Sequence, residues 1–485
     1  MKLKNNTILI IILLLTLAFR LYFTFSTQSF SSDESYYHSR LINHIIENKL
    51  PMFYDKLSYG GHEIFYFYPQ LFHVLLALFS FIPLYLKIIP ALMASSIVVI
   101  IYLIAKKITN DNTSSLLTAF LAAFIPIEIR DSVNQISIYS FVIPIILILY
   151  LCLMNLENKK YFNLFLILSF LLPFIHASSF LFIFSLIFYL ILSNTESLFI
   201  SKYKKETIIF SFFLILLINF LLYRNLFLQY GFNIIWQNIP DSLFNVYFKN
   251  LNILEGIYLI SALPIILGSL GIFFGLFREK NDSIILLTAA ILATSLLLSL
   301  RILNIQTGVL FLGIFLILIS SLTISKIYAY LSLTKFSYLK KYVTLFIVLL
   351  IIILSVIPSY LEAKSLPNYD SQIKSFQWIK DNIEEDATIL VPLELGNTLT
   401  AIAERKNIID SNFLLSRNAE ERFEDVNVVY SGISKIKALE ALRKYNSKYI
   451  FIDKYVKDKY NITKLRYLDE KCFEEIKNDV YKVIC

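Results

Sequence analysis

Long, unbroken apolar stretches separated by short polar connections run through the first three quarters of the chain, and then the pattern changes. A window of about 19 residues picks out apolar stretches near residues 7–25, 69–87, 88–105, 113–129, 139–154, 161–175, 177–194, 207–223, 256–277, 282–299, 302–323 and 342–359. Each is continuous and does not alternate with period two, which predicts membrane-crossing helices and excludes an outer-membrane barrel. Beyond residue 360 the patterns become those of a water-facing unit. Helical periodicity at 370–382 and 433–444 alternates with β-rich runs at 387–391, 448–452 and 480–484, which predicts a small α/β domain.

Composition sharpens this division. The 485 residues are 57% hydrophobic and 16% charged, with a mean hydropathy of +0.66, outside the range of soluble domains. Residues 1–360 hold 24 Lys and Arg against 15 Asp and Glu, whereas residues 361–485 hold 20 against 21. The positive excess sits in the membrane part, so it concerns topology and does not point to nucleic acid. If all twelve stretches crossed, the connections with Lys106-Lys107 and Lys159-Lys160 would face outward. Leaving out 69–87, which carries Pro69, Gln70, His73, Pro83 and Lys87, makes it an interfacial segment. Lys2, Lys4, Lys106-Lys107, Lys159-Lys160, Lys202, Lys204-Lys205, Arg278, Lys280 and the stretch from Lys326 to Lys341 then share one side. The expectation is an α-helical polytopic membrane protein of the cell membrane with about eleven spans. Its N-terminus is cytoplasmic, residues 1–360 form the membrane domain with a large first external loop at 26–68, and residues 361–485 form an extracytoplasmic α/β domain. The apolar run from Ile8 is followed by Arg20 and no small-residue cleavage site, as in a retained anchor. Cys152 reads as core, while Cys472 and Cys485 could pair in an oxidising compartment.

This topology gathers the chemistry-bearing residues on the external face. The first loop carries Asp33, Glu34, Tyr36, Tyr37, His38 and Arg40, then Tyr59-Gly60-Gly61-His62-Glu63. Other external turns carry Glu128, Arg130 and Asp131, His176, the 224–255 segment with Trp236, and Arg301.

At these residues a resemblance appears. The acidic residue followed by Tyr-Tyr-His and an arginine in a large first loop resembles the GT-C glycosyltransferases, multispan enzymes that take sugars from lipid phosphate carriers. The stretch from Ile88 to Arg130 and the start of the last domain (Phe376-Gln377-Trp378-Ile379, then Glu404-Arg405-Lys406-Asn407) resemble the catalytic subunits of oligosaccharyltransferases, the archaeal type included. The resemblance implies that Asp33, with Glu34 beside it, is the first-loop acid that binds a divalent metal such as Mg2+ or Mn2+ and activates the acceptor. It also implies that Arg301, His176, Arg40 and His38 face the donor phosphate. The second family site holds an Asp-x-Asp or Asp-x-Glu; here Ser132-Val133 is followed by Asn134-Gln135-Ile136, so the nearby Glu128 and Asp131 are left as substitutes for one metal ligand, Asp131 being the metal-binding candidate. The sequon-reading Trp-Trp-Asp-Tyr-Gly is replaced by Val391-Pro392-Leu393-Glu394-Leu395-Gly396, which argues against reading Asn-x-Thr peptides in the family's way.

The implied activity is transfer of a sugar or oligosaccharide from a polyprenyl (dolichyl-type) phosphate-linked donor to an acceptor at the external membrane face, with no nucleic-acid partner. Three other readings stay open: an oligosaccharyltransferase-like protein glycosylation enzyme, a non-catalytic lipid-linked sugar binder, and a lipid transporter. For the residues themselves, Ser32 or Asp33 equally suits a helix cap, Arg130 with Asp131 a helix-end pair, and Arg301 a snorkelling anchor. Asn461-Ile462-Thr463 matches a glycosylation acceptor pattern.

Overall fold

The computed structural model describes residues 5–63, 69–248, 252–416, 418–477 and 479–485, with the backbone alone at His62 and Glu63. Lys2, Lys4 and parts of the 26–68 and 224–255 segments lie outside the described residues.

Seven helices are long and apolar enough to cross a membrane: Asn5–Thr24, Tyr85–Thr109, Lys202–Trp236, Ala262–Glu279, Asp282–Ser299, Ile305–Leu333 and Ser337–Lys364. Asn112–Ala122 and Pro126–Ser132, bent by 50°, can count together as an eighth. The expected eleven is therefore seven or eight by length. Helices Tyr139–Leu153, Lys159–Ile175 and Ser179–Thr195 have 15, 17 and 17 residues. They fall below the roughly 20 residues that span a 30 Å hydrocarbon core. Within 69–87 the helix Leu71–Ala77 has seven residues, about 10 Å of rise, too little to cross.

Helix Ile305–Leu333 is apolar on every side, and 94% of its most apolar window is buried in the protein. A helix without a polar face belongs at the centre of a bundle. Its closest neighbour is Ala262–Phe274, and two glycines there set the approach. A Cβ on Gly268 would meet the Leu316 carbonyl oxygen at 2.8 Å, and one on Gly271 the Ile319 oxygen at 2.5 Å, so only a residue without a side chain lets these backbones close in. At the end of the bundle that faces the C-terminal unit, Arg20 from the first helix is wholly buried and pairs with Glu128, also donating to Ser132 Oγ at 2.5 Å. Ser132 in turn donates to the Glu128 backbone oxygen at 2.6 Å. A buried charge needs such a set of partners, and the pair ties the first helix to Pro126–Ser132.

The C-terminal unit is the expected α/β domain. Its five-stranded sheet runs, edge to edge, Lys406–Asn407, Thr388–Leu390, Ser447–Phe451, Val480–Val483 and Phe473–Lys477. The first three strands are mutually parallel and the last two pair antiparallel. Cys472 and Cys485 form a disulfide that ties the last residue back to the sheet edge, and Cys152 is buried and free.

Between bundle and sheet lies an element that the loop reading of 26–68 did not contain, the helix Asp33–Asn48. Ser32 is its N-cap, accepting from the Ser35 N–H, and Asp33 is its first residue. Ile42 joins the bundle core, while Tyr37 and Leu41 join the core of the C-terminal domain, so the helix is wedged between two hydrophobic cores. Asp33 fastens it. Its Oδ1 accepts from the Thr398 N–H and Oγ1, both at 2.7 Å, and its Oδ2 from the Asn397 N–H at 3.2 Å and Nδ2 at 2.9 Å. These donors open the short helix Gly396–Ile402. Farther along, the Tyr59 N–H donates to Asn407 Oδ1 at 2.7 Å and the Tyr59 hydroxyl to the Asp410 carbonyl at 2.5 Å.

Burial pushes the Asp33 carboxyl from its ordinary 3.8 up to about 7, against the downward pull of the Thr398 and Asn397 hydrogen bonds. Because the folded value lies above the unfolded one, the stability this proton linkage adds is full below about pH 4 and is lost as pH rises through about 7. Asp33→Asn has no such titration. Its melting midpoint in detergent is expected to lie below wild type, with a gap that narrows from about pH 5 to about pH 8; a constant or widening gap would overturn the assignment. Asp33→Ala leaves the Asn397 and Thr398 donors unmet and is expected to cost on the order of 3 kcal/mol.

Candidate functional site

The start of helix Asp33–Asn48 is held from two sides. Opposite the Asp33 clasp, the Ser31 N–H donates to the Asn134 carbonyl at 3.0 Å, Ser31 Oγ to the Val133 carbonyl at 3.2 Å, and the Ile136 N–H to Ser35 Oγ at 3.0 Å. Successive helical residues point about 100° apart, so with Asp33 and Ser35 both engaged, Glu34 projects between them. Its side chain is 67% exposed at the junction, or cleft, where the first loop, the bundle ends and the C-terminal domain meet.

His38, one turn along the same helix, places Nε2 3.5 Å from Glu34 Oε1. His176, Asp131, Tyr139 and Tyr247 lie within electrostatic reach of Glu34. Burial raises the Glu34 carboxyl, but the hydrogen bond from His38, with smaller help from the surrounding histidines, outweighs it and holds the group below the usual range. Glu34 is thus a carboxylate at neutral pH. His176 caps helix Lys159–Ile175, and burial lowers it to about 4, overcoming the pull of Glu34, so its ring is neutral. Its Nδ1 accepts from the Ser178 N–H at 3.1 Å, which leaves the proton on Nε2. The ring packs edge-on to Tyr139 at 5.3 Å, and the Tyr139 hydroxyl bonds Thr307 Oγ1 at 2.6 Å. Arg301 sits in the turn between Asp282–Ser299 and Ile305–Leu333, with φ of 55°. Its carbonyl accepts from Trp236 Nε1 at 2.9 Å and its side chain is half-buried. Trp236 belongs to a segment that reaches the outer domain through Asn238 Nδ2, 3.1 Å from the Phe413 carbonyl.

The structure puts the other expected residues elsewhere. Asp33 turns away from the cleft into the interdomain clasp. Arg40 is engaged by Asp55 in a two-pronged pair at 2.7 and 2.5 Å, with Ser58 Oγ at 2.8 Å, so its guanidinium braces the loop. Glu128 is taken by Arg20, Asp131 pairs with Arg130 at 3.4 Å, and Glu394 pairs with Lys459. Among the described residues no group of three or more His, Cys, Asp or Glu side chains is arranged to hold a metal ion. With Asp33 turned away, the donor set does not fit the implied cation, and no chemical step is derived through one. Sequence reasoning missed Tyr247, which no motif marks, and His73, hidden in an apolar run. It also missed Asp55, whose partner Arg40 lies 15 residues away.

No protein-family model and no curated protein matches the chain. Solved structures do. The apo form of the Archaeoglobus fulgidus oligosaccharyltransferase superposes with a TM-score of 0.70 at 13% identity, covering 93% of this chain and 69% of that one. The same enzyme in complex with Zn and sulfate gives 0.63 at 13% identity, over 90% and 67%. The complex of that oligosaccharyltransferase, AglB, with an inhibitory peptide and a dolichol-phosphate gives 0.67 at 14% identity, over 92% and 69%. The chain has the fold of the archaeal oligosaccharyltransferase AglB.

Proposed function

We propose that the protein is a GT-C glycosyltransferase that moves a sugar or oligosaccharide from a polyprenyl (dolichyl-type) phosphate-linked donor to an acceptor at the outer membrane face. The observation that carries this reading is the pairing of one solvent-exposed carboxylate, Glu34, with a neutral histidine, His176, within electrostatic reach of it; Arg301 is proposed to join them from the turn before the central helix. The fold and the dolichol-phosphate complex of AglB support a lipid-linked donor, and its peptide ligand supports a polymer acceptor such as protein.

In this reading Glu34, not Asp33, receives the proton of the acceptor X–H as X bonds the anomeric carbon. The bond from that carbon to the phosphate oxygen breaks, and its electron pair leaves with the phosphate. The Nε2–H of His176 and the Arg301 guanidinium are the donors proposed to meet the charge that develops there. Asp131, His38 and Arg40 act from behind this front, by pairing with their neighbours. The topology proposed with it has eleven spans, counting the three shorter apolar helices. The N-terminus is cytoplasmic, the membrane domain is 1–360 and the extracytoplasmic domain is 361–485 of a cell-membrane protein.

Purified protein in liposomes, given radiolabelled dolichyl-phosphate- and dolichyl-diphosphate-linked sugars with hydroxyl and peptide acceptors, is expected to consume one donor class. Glu34→Gln is expected to lower turnover by about a hundredfold or more with an unchanged melting midpoint. Unchanged turnover would remove Glu34 as the proposed base, no donor consumption by wild type would favour a non-catalytic lipid-linked sugar binder, and transfer to an Asn-x-Thr peptide would make the protein an oligosaccharyltransferase despite its altered sequon segment. Topology is checked separately: a cysteine at Lys437 is expected to react only with impermeant reagent added outside, and one at Lys160 only from inside. The reverse pattern would put the cleft on the cytoplasmic face.

A further inference from the structure

We propose that His38 and His73 form a two-ring brace that fixes the orientation of the Glu34 carboxylate, as positioning residues for the transfer proposed above, on which this inference rests. His38 Nδ1 lies 2.9 Å from His73 Nε2, and on its other side His38 Nε2 faces Glu34 Oε1 at 3.5 Å. Both rings are buried, His38 to 3% and His73 to 1% exposure. Helix Leu71–Ala77 supplies His73 and packs along Asp33–Asn48, with His38 edge-on to Phe72 at 5.5 Å.

The direction of the hydrogen bonds follows from the carboxylate at one end. An ionised Glu34 can only accept, so the His38 nitrogen that faces it, Nε2, carries the proton. His38 Nδ1 is then an acceptor, and His73 Nε2 beside it is the donor. Burial and the neighbouring His38 outweigh the opposite pull of the Gln70 backbone and hold His73 well below the usual histidine range, in keeping with a neutral donor. The brace is thus polarised in one sense, His73 to His38 to Glu34.

This polarity separates a brace from a relay. His38 Nε2 already carries a proton, so it cannot take the one that Glu34 receives from the acceptor. That proton stays on the Glu34 carboxyl until the cleft releases it to water, while His38 holds the other oxygen. Helix Asp33–Asn48 alone would let the Glu34 side chain rotate; the ring behind it selects one rotamer.

Two measurements on the full-length protein test this. The first is 15N NMR of histidine-labelled protein in detergent micelles at mildly alkaline pH, with His38 identified by its loss in His38→Asn. Wild type is expected to show His38 as the single Nε2–H tautomer. His73→Phe, which keeps an aromatic plug but removes the donor, is expected to show a tautomer mixture, and His73→Gln, whose amide can donate from nearly the same place, to restore the single form. An Nδ1–H tautomer for His38 in wild type would overturn the brace. The second is transfer kinetics: His73→Phe is expected to lower kcat by about tenfold to a hundredfold with KM for the lipid-linked donor unchanged, and His73→Gln to recover most of the loss. Equal losses in both variants would mark a merely structural histidine and overturn the inference. Should wild type show the expected tautomer but consume no lipid-linked sugar, the transferase reading fails while the brace stands.

Discussion

The carboxylate of Asp33 accepts four hydrogen bonds from two consecutive residues of the outer domain, and the geometry of the cleft depends on them. Burying a carboxyl costs several kcal/mol unless its lone pairs are met. Here they are met in part by N–H groups at a helix start, where unpaired donors stand ready. The upward displacement of its pKa says that burial still outweighs the hydrogen bonds. The clasp is therefore a compromise: it holds two domains together by keeping an ionisable group at the edge of charging. An amide or an alanine there would lose the geometry, and a larger acid such as glutamate would push the helix off its seat.

Because the clasp and the strap of Ser31 and Ser35 to residues 133–136 grip either side of one residue, they decide what Glu34 can do. Neighbours on a helix cannot share a face, so an adjacent pair of acids divides into one turned inward and one turned out. The fold makes that division through contacts 364 and about 100 residues away in sequence. The same logic operates in the bundle, where Arg20 and Glu128, 108 residues apart, neutralise each other and so cannot serve the cleft.

Much of this was legible in the sequence, and what was not has a common cause. Continuous apolar stretches announce helices because each residue contributes independently, so the bundle, the outer α/β domain and helix 370–382 were visible. The expected gathering of Glu34, His176 and Arg301 on one face rests on lysine bias alone, and of it the structure brings His176 within electrostatic reach of Glu34. The preference for Asp33 over Glu34 came from a local motif, and a local motif cannot show that Asn397 and Thr398 stand on one side. Arg40 was read as a phosphate ligand for the same reason, since nothing near it in sequence singles out Asp55. The wedge helix was read as loop although Tyr37, Leu41, Ile42 and Ile45 follow a helical spacing, because its apolar residues serve two cores and the stripe is broadened past the single face that periodicity seeks. Span counting differs from the length criterion where apolar runs of 15 to 17 residues look complete in a window but are short as helices.

A site assembled at the junction of two cores differs in kind from one carved into a single domain. Its walls are the wedge helix, the ends of bundle helices and the aromatic segment around Trp236, which is joined to Arg301 on one side and to the outer domain through Asn238 on the other. The wedge helix packs on both cores and the Trp236 segment bonds to both bodies, so the cleft keeps its shape only while bundle and C-terminal domain stay docked. In the function proposed above, a lipid-linked substrate and its acceptor would meet between two rigid parts, with Glu34 on a helix that packs against both. Such an arrangement separates segment 391–396 from the carboxylate, because the clasp at Asn397 and Thr398 begins one residue later, so that a change in that segment need not disturb Glu34.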